Sequence, residues 1–422
     1  MFKYRKRVFA ATAAVALAAG LAACGGSSSD GGGGGNSPTS DAKGGDLLYY
    51  LYTPIEHLDP QRVYVGRDIT NLSRTVYRTL VSFPISDDPD VANTPVPDLA
   101  TDTGTSSEGG KVWSFTVKDG VKWEDGQPVT CEDFKYGASR AFATDVITGG
   151  PNYILSYLDI PTGKDGLPEY KGPYTGEGQD LYDKAVTCDG NTITYNFNKP
   201  WPDFPLAIAG LHMMDPYRQD KDQGDKSNYQ IFSNGPYKLD GTWNKNKGGT
   251  LVRNDNYDAS TDDPELRKAL PDSIEFQIGL TPENQYDRLI ADTDANAVTG
   301  TSVPPAYYSQ IEGAVADRSV LVDSPYVYYL VPNFRSEEMK NPAVRQALAV
   351  STNSDAYNVA LGGDKAGSPA ESIVSPAVVG YKENPAFAGS NDGDPDKALQ
   401  ILKDAGVRRL QRRRPGQGAA DP

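Results

Sequence analysis

Apolar and polar residues alternate along this chain in two rhythms, and each rhythm predicts a different element. In "VWSFTVKDGVKW", Trp113, Phe115 and Val117 alternate with polar neighbours, the period of a half-buried strand. Asp119-Gly120 supplies turn chemistry before Val121 and Trp123, so the stretch predicts a hairpin. The same alternation puts Ile193, Tyr195 and Phe197 on one face of "NTITYNFNKP". It puts Ile274, Phe276 and Ile278 on one face of "SIEFQIG". "DLLYYLYTPIEHLDP" predicts a further strand, apolar and aromatic, ended by Pro60.

The second rhythm is helical. Leu72, Val76, Tyr77 and Leu80 make "TNLSRTVYRTLVSF" an amphipathic helix. Thr130 and Asp133 open another in the manner of a capping box, with Phe134, Ala138, Ala141 and Phe142 as its apolar stripe. Asn341-Pro342 and Asp394-Pro395 each pair a capping side chain with proline at the first helical position, and Gly406 ends the second of these helices. Strands and helices interleave throughout, so the expected class is α/β, mixed α and β, without an internal repeat.

Both ends of the chain break the pattern. Lys3, Arg5, Lys6 and Arg7 precede an apolar run, Val8 to Leu17, that is too short for a permanent span and suits a secretion signal. Leu21-Ala22-Ala23-Cys24 resembles the lipobox of bacterial lipoproteins, in which the signal is cut before the cysteine and the thiol takes a diacylglyceryl group. Each buried CH₂ of such a lipid adds roughly 0.8 kcal/mol of membrane affinity. Residues 24–43 then lack periodicity and predict a flexible Gly/Ser tether. At the other end, "VRRLQRRRPGQGAADP" shows no pattern that could pack, so residues 407–422 are expected to be a disordered basic tail or an aberrant, frameshifted one.

Composition narrows the function. Of 422 residues, 38% are hydrophobic and 23% charged, which are globular values. The formal net charge of −15 argues against nucleic acid as a partner, which needs a Lys/Arg face. The 25 tyrosines exceed what a core needs, and Tyr offers a stiff contact surface with a polar tip, although filling a β-rich core is the alternative for any one of them. Of 3 cysteines, Cys131 and Cys188 remain after Cys24, and outside the cytoplasm such a pair is more often bridged than free. Two cysteines alone make a poor zinc site. The chain has only 2 histidines, His57 and His212, and no GxSxG, HExxH or P-loop motif, so an enzyme is not expected and no cofactor or metal is implied.

Several segments, in order, resemble the extracytoplasmic solute-binding proteins of peptide-type ABC importers, the oligopeptide- and dipeptide-binding group. They are "GGDLLYYLYTPIEHLDP", "VYRTLVSF" with "TPVPDLAT", "KVWSFTVKDGVKWEDGQPVTCEDFKYGASRAF", "SNGPYKL", "NDNYD" and "VPNFRSEEMKNPAVRQALAVSTN". The third is the most specific, and it departs from the family in Lys118, where arginine is usual, and Cys131, where alanine is usual. Together they cover roughly residues 44 to 405.

The resemblance implies a two-lobed periplasmic-binding-protein-like fold with an extra small domain. Residues 44–83 and 212–278 would build the first lobe, 84–211 the inserted domain holding Cys131 and Cys188, and 279–406 a partial second lobe, incomplete because family members usually run well beyond this point. Residues 1–23 would be the lipoprotein signal. Ligand would sit between lobes that close on a hinge. Val63 and Tyr64 match the region lining the cleft from the first lobe, Tyr153 or Tyr157 the region reaching it from the small domain, and Asn333 and Phe334 the re-entry into the second lobe. The implied partners are a peptide or other small solute, an ABC permease with its ATPase, and the membrane through the lipid on Cys24. The protein would act as a monomer at the outer face of the cytoplasmic membrane. The alternatives are a truncated remnant that does not bind, and a secreted hydrolase.

Overall fold

The alternating stretches fold as strands in the computed structural model, which describes residues 42–86, 88–320, 322–385 and 391–407. The strands are, in chain order, β1 (Asp46–Leu51), β2 (Val81–Ser82), β3 (Val96–Pro97), β4 (Thr105–Ser107), β5 (Val112–Thr116), β6 (Val186–Asp189), β7 (Thr192–Asn196), β8 (Tyr237–Asn244), β9 (Gly248–Arg253), β10 (Ser273–Ile278) and β11 (Ala297–Thr299). The expected signal, Cys24, the tether as far as residue 41 and the tail from 408 lie outside the described residues. Among the described residues no helix is long and apolar enough to cross a membrane.

The larger sheet has the order β11-β1-β10-β9-β8. β1 runs parallel to both neighbours, with Tyr49 opposite Phe276 on one side and Val298 on the other. β10, β9 and β8 continue antiparallel. A helix, Pro282–Ile290, carries the chain from β10 over to β11, the crossover that parallel strands require. Leu51, Tyr237, Leu251, Ile274 and Phe276 pack with Leu72 and Val76 to form the core on this sheet.

The smaller sheet, β4-β5-β7-β6, is antiparallel throughout. Its alternation is the one legible in the sequence: Trp113 and Phe115 of β5 lie opposite Tyr195 and Ile193 of β7, all facing the core. The helix Cys131–Arg140 covers that face through Phe134 and Ala138. The Thr130 amide donates to Asp133 Oδ2 at 2.9 Å, closing the expected capping box. A disulfide joins Cys131 at the start of this helix to Cys188 in β6, with Cα atoms 5.9 Å apart.

Four local expectations are corrected. β1 stops at Leu51, not at Pro60, because β10 ends at Ile278 and Pro54 cannot extend the ladder. The helix expected from residue 70 spans Gly66–Thr75. Val76, Tyr77 and Leu80 are buried beyond its end, because the Val76 carbonyl is taken by Asn234, Gly235 and Ser233. The 112–123 hairpin does not form. β5 finds its partners in β4 and β7, and Lys122 pairs with Pro128 around a separate turn. Finally, residues 297–299, expected beyond the first lobe, add a strand to its sheet through β1.

Two buried ionic clusters join the sheets. Arg140, on the helix of the smaller sheet, lies 2.5 Å from Asp59 and 2.9 Å from Asp222. Asp98 accepts from Arg78 at 2.9 Å and from Arg267, while Arg267 also reaches Asp262 at 2.8 Å. Burial alone would raise the Asp98 pKa, but the charges of Arg267 and Arg78 outweigh it and hold the carboxylate below its ordinary value.

Beyond β11, Tyr286, Tyr307, Ile311 and Val315 form a small third core. Asn341 caps the helix Pro342–Ser351 and Asp394 caps Pro395–Asp404, as expected, and the Asp394 amide ties the second helix to Val350 of the first. Between these regions residues 322–333 form no strand among the described residues, and Tyr328 and Leu330 are 88% and 90% exposed.

Candidate functional site

Three segments distant in sequence bring tyrosines together. In the first, Val63 turns into the core, which leaves its neighbour Tyr64 facing outward, half exposed, just before the helix Gly66–Thr75. In the second, a short 3₁₀ turn, Tyr153–Ser156, is anchored by fully buried Ile154 and presents Tyr153 to solvent. The Tyr64 and Tyr153 hydroxyls meet at 2.8 Å.

The sequence explains this meeting locally. "TGGPNY" carries Gly149 and Gly150, and a Cβ on Gly150 would overlap the Gln61 carbonyl oxygen. A Cβ on Gly149 would come within 2.6 Å of His57 Nε2. Two glycines therefore let the loop lie on the 57–62 backbone and bring Tyr153 to Tyr64. Arg62 fastens the arrangement by donating to the Val146 carbonyl and to Asp225 at 2.9 Å. Between the same segments lies a cavity of 170 Å³ lined by Gln61, Thr144, Thr148 and Asn152.

The third segment supplies Tyr326 and Tyr329. The Tyr326 hydroxyl rests against Gly66, and its ring Cζ lies 2.8 Å from where a Cβ on that glycine would stand. The hydrogen bond with Tyr153 raises the Tyr64 pKa, and partial burial and the Tyr153 and Tyr329 phenols add to the effect. The Tyr64 hydroxyl is therefore neutral near pH 7, able both to donate and to accept. Arg67 sits next to the cluster but is engaged by Asp68 at 2.7 Å and Thr53 at 2.8 Å. Among the described residues no group of His, Cys, Asp and Glu is arranged to hold a metal ion.

The other expected residues lie in different surroundings. The Val63 side chain is 1% exposed and belongs to the core, so it anchors the segment and offers no surface to a ligand. Tyr157 stacks on Trp201 at 4.0 Å between ring centres, with Lys199 Nζ 4.2 Å from its ring, as part of the smaller sheet's packing. Asn333 is exposed and accepts from the Arg335 amide at 3.0 Å, and the Phe334 ring lies under the Arg345 guanidinium at 4.7 Å. Sequence reasoning passed over Gly66, Tyr326 and Tyr329. The tyrosine-dense run "PYVYYL" was the only signal for the two tyrosines.

A larger cavity of 290 Å³ lies elsewhere, between the helix Gly66–Thr75 and the sheet face of Tyr49, Ile274 and Phe276. Its walls are mainly core side chains, and it brings no cluster of exposed hydroxyls together.

The sequence model of the bacterial extracellular solute-binding proteins, family 5 (middle region), matches residues 94–414. The chain is 28% identical over 363 residues to the periplasmic oligopeptide-binding protein OppA of Escherichia coli K12, an alignment that spans 83% of this chain and 61% of that one. It is 26% identical over 294 residues to the oligopeptide-binding protein OppA of Bacillus subtilis 168, spanning 66% of this chain and 48% of that one. Among solved structures, the clavulanic acid biosynthesis oligopeptide binding protein 2 superposes with a TM-score of 0.73 at 27% identity, covering 87% of this chain and 65% of that one. The chain thus spans about half to three fifths of the length of these curated relatives. The mixed α/β fold is that of the periplasmic peptide-binding proteins. With the match extending over residues 94–414, the chain belongs to the bacterial extracellular solute-binding proteins of family 5.

Proposed function

We propose that this chain is the lipid-anchored solute-binding subunit of an ABC importer, and that it captures peptides in a cleft and delivers them to a permease and its ATPase. Cys24 would carry the anchor, and the protein would work as a monomer at the outer face of the cytoplasmic membrane. Residues 44–83 with 212–278, the insertion 84–211 and residues 279–406 would be the bodies that move against one another. The observation that carries the reading is the meeting of Tyr64 and Tyr153 at 2.8 Å, with Tyr326 and Tyr329 beside them.

The chemistry suits a peptide. Tyrosine rings give flat apolar surfaces for side chains of many kinds, and neutral hydroxyls can pair with either the N–H or the C=O of a peptide backbone. Such a site grips the part that all peptides share and tolerates the part that varies. The family and the peptide-binding relatives favour the same reading. No nucleophile and base motif in the sequence supports a hydrolase.

The test is native mass spectrometry of the full chain after equilibration with a mixture of short peptides, followed by calorimetry on the retained species. Retention of intact peptides, with saturable binding, is expected. Recovery of cleaved peptides would instead make the protein a hydrolase, and retention of none would remove the peptide reading.

A further inference from the structure

Residues 324–334, "SPYVYYLVPNF", carry no charge in a chain of net charge −15. Tyr328, Tyr329, Leu330 and Val331 are 67% to 90% exposed. Among the described residues, the amides and carbonyls of residues 327–331 make no backbone hydrogen bond. Unpaired backbone carrying exposed valine, tyrosine and leucine is a template for another strand. Pro325 and Pro332 have no N–H to give a ladder, so they confine such pairing to residues 326–331. Asp323 and Arg335 stand just outside, both exposed, and neither side chain holds a hydrogen bond or ion pair among the described residues.

We propose that this run is a self-recognition strand whose partner is the same run of a second copy of the chain, antiparallel about Tyr329. The sequence selects that arrangement. Antiparallel pairing centred on Tyr329 sets Val327 against Val331, Tyr328 against Leu330 and Asp323 against Arg335, each twice over. Parallel pairing in register would set Asp323 against Asp323 and Arg335 against Arg335, like charges that repel. A two-fold arrangement closes on itself, so it makes dimers and not fibres. Six paired residues span only about 20 Å, less than a permanent interface needs, so the dimer forms only at high concentration. Tyr326 and Tyr329 also belong to the tyrosine cluster. A peptide held there would compete with the second copy, and the monomer remains the working form. The pairing itself does not rest on that functional reading.

The test is sedimentation velocity, over a concentration series, on four full-length proteins: wild type, Asp323→Arg, Arg335→Asp and the double variant. Wild type is expected to pass from monomer to dimer between about 1 and 100 µM. Each single variant sets like charges opposite each other at both ends and should dimerise about tenfold more weakly. Mixing the two single variants restores both opposite-charge pairs, and the mixture should dimerise as wild type does. So should the double variant. Both positions are exposed, so the fold should be unchanged, which circular dichroism checks. A wild type that stays monomeric at about 200 µM, or that grows into open-ended assemblies, would overturn the proposal and leave the run to a partner of another kind. Single variants that dimerise as wild type does, or a mixture no better than its parts, would overturn the antiparallel register.

Discussion

The Tyr64 and Tyr153 hydroxyls stand 2.8 Å apart although 89 residues separate them in the chain. Val63 and Ile154, each buried beside its tyrosine, fix the two backbones from below. Both phenols are half exposed, so the pair contributes little to folding and keeps free positions for a ligand. Replacing either hydroxyl, in Tyr64→Phe or Tyr153→Phe, should cost one neutral hydrogen bond to a bound peptide. That corresponds to about 3- to 10-fold in Kd by calorimetry, with an unchanged melting temperature. An unchanged Kd in both variants would remove these tyrosines from the site.

Arg140 is the centre of one of the two ionic clusters that join the sheets. Its guanidinium is fully buried, lies 2.5 Å from Asp59 and 2.9 Å from Asp222, and faces the Tyr217 ring at 3.7 Å. Arg140→Met would leave Asp59 charged and buried without its partner. Urea unfolding should show a loss of about 3–5 kcal/mol. A loss below about 1 kcal/mol would mean that the joint is held by apolar packing instead.

His212 makes stability depend on pH. Burial alone would lower its pKa, but the Asp215 carboxylate, 2.5 Å from Nδ1, outweighs burial and holds the pKa above the ordinary 6.5. A base whose pKa is higher folded than unfolded stabilises the fold fully below the unfolded value. That stabilisation is lost as pH rises through the folded value. The stability difference between wild type and His212→Gln should therefore shrink as pH is raised from about 6 to about 8.5. A difference that stays constant over that range would show that His212 does not change charge there.

The disulfide should matter for folding more than for the site. Cys131 and Cys188 close a loop with a sequence separation of 57. In the chain-entropy account a loop of that size restricts the unfolded chain by about 4 kcal/mol. The double Cys131→Ala, Cys188→Ala variant should lose stability of that order and keep its peptide affinity. A large loss of affinity at a temperature where the variant remains folded would tie the inserted segment more closely to the ligand.

The elements legible in the sequence were those whose partners lie on a face that alternation can reveal. β5, β7 and β10 show their buried sides as Trp113 and Phe115, Ile193 and Tyr195, and Ile274 and Phe276. Helix starts were legible where a capping side chain is local, as with Thr130, Asn341 and Asp394. Strand partners were not. Asp119-Gly120 makes a hairpin look favourable, yet β5 closes on β7, some 80 residues away, because both present large apolar side chains to one core. The site was half legible. Tyr64 and Tyr153 were reached only through the resemblance to the solute-binding family, whereas the fit of Tyr326 to Gly66 depends on tertiary approach, which local spacing does not encode.

The account stands or falls on where a peptide touches the protein. Photocrosslinking a retained peptide that carries a diazirine group, followed by mapping of the modified residues, measures this directly. The account predicts adducts on the segments containing Tyr64, Tyr153 and Tyr326 to Tyr329, all three lost when unlabelled peptide competes. Adducts gathered instead around Tyr49, Ile274 and Phe276, or scattered without competition, would contradict it.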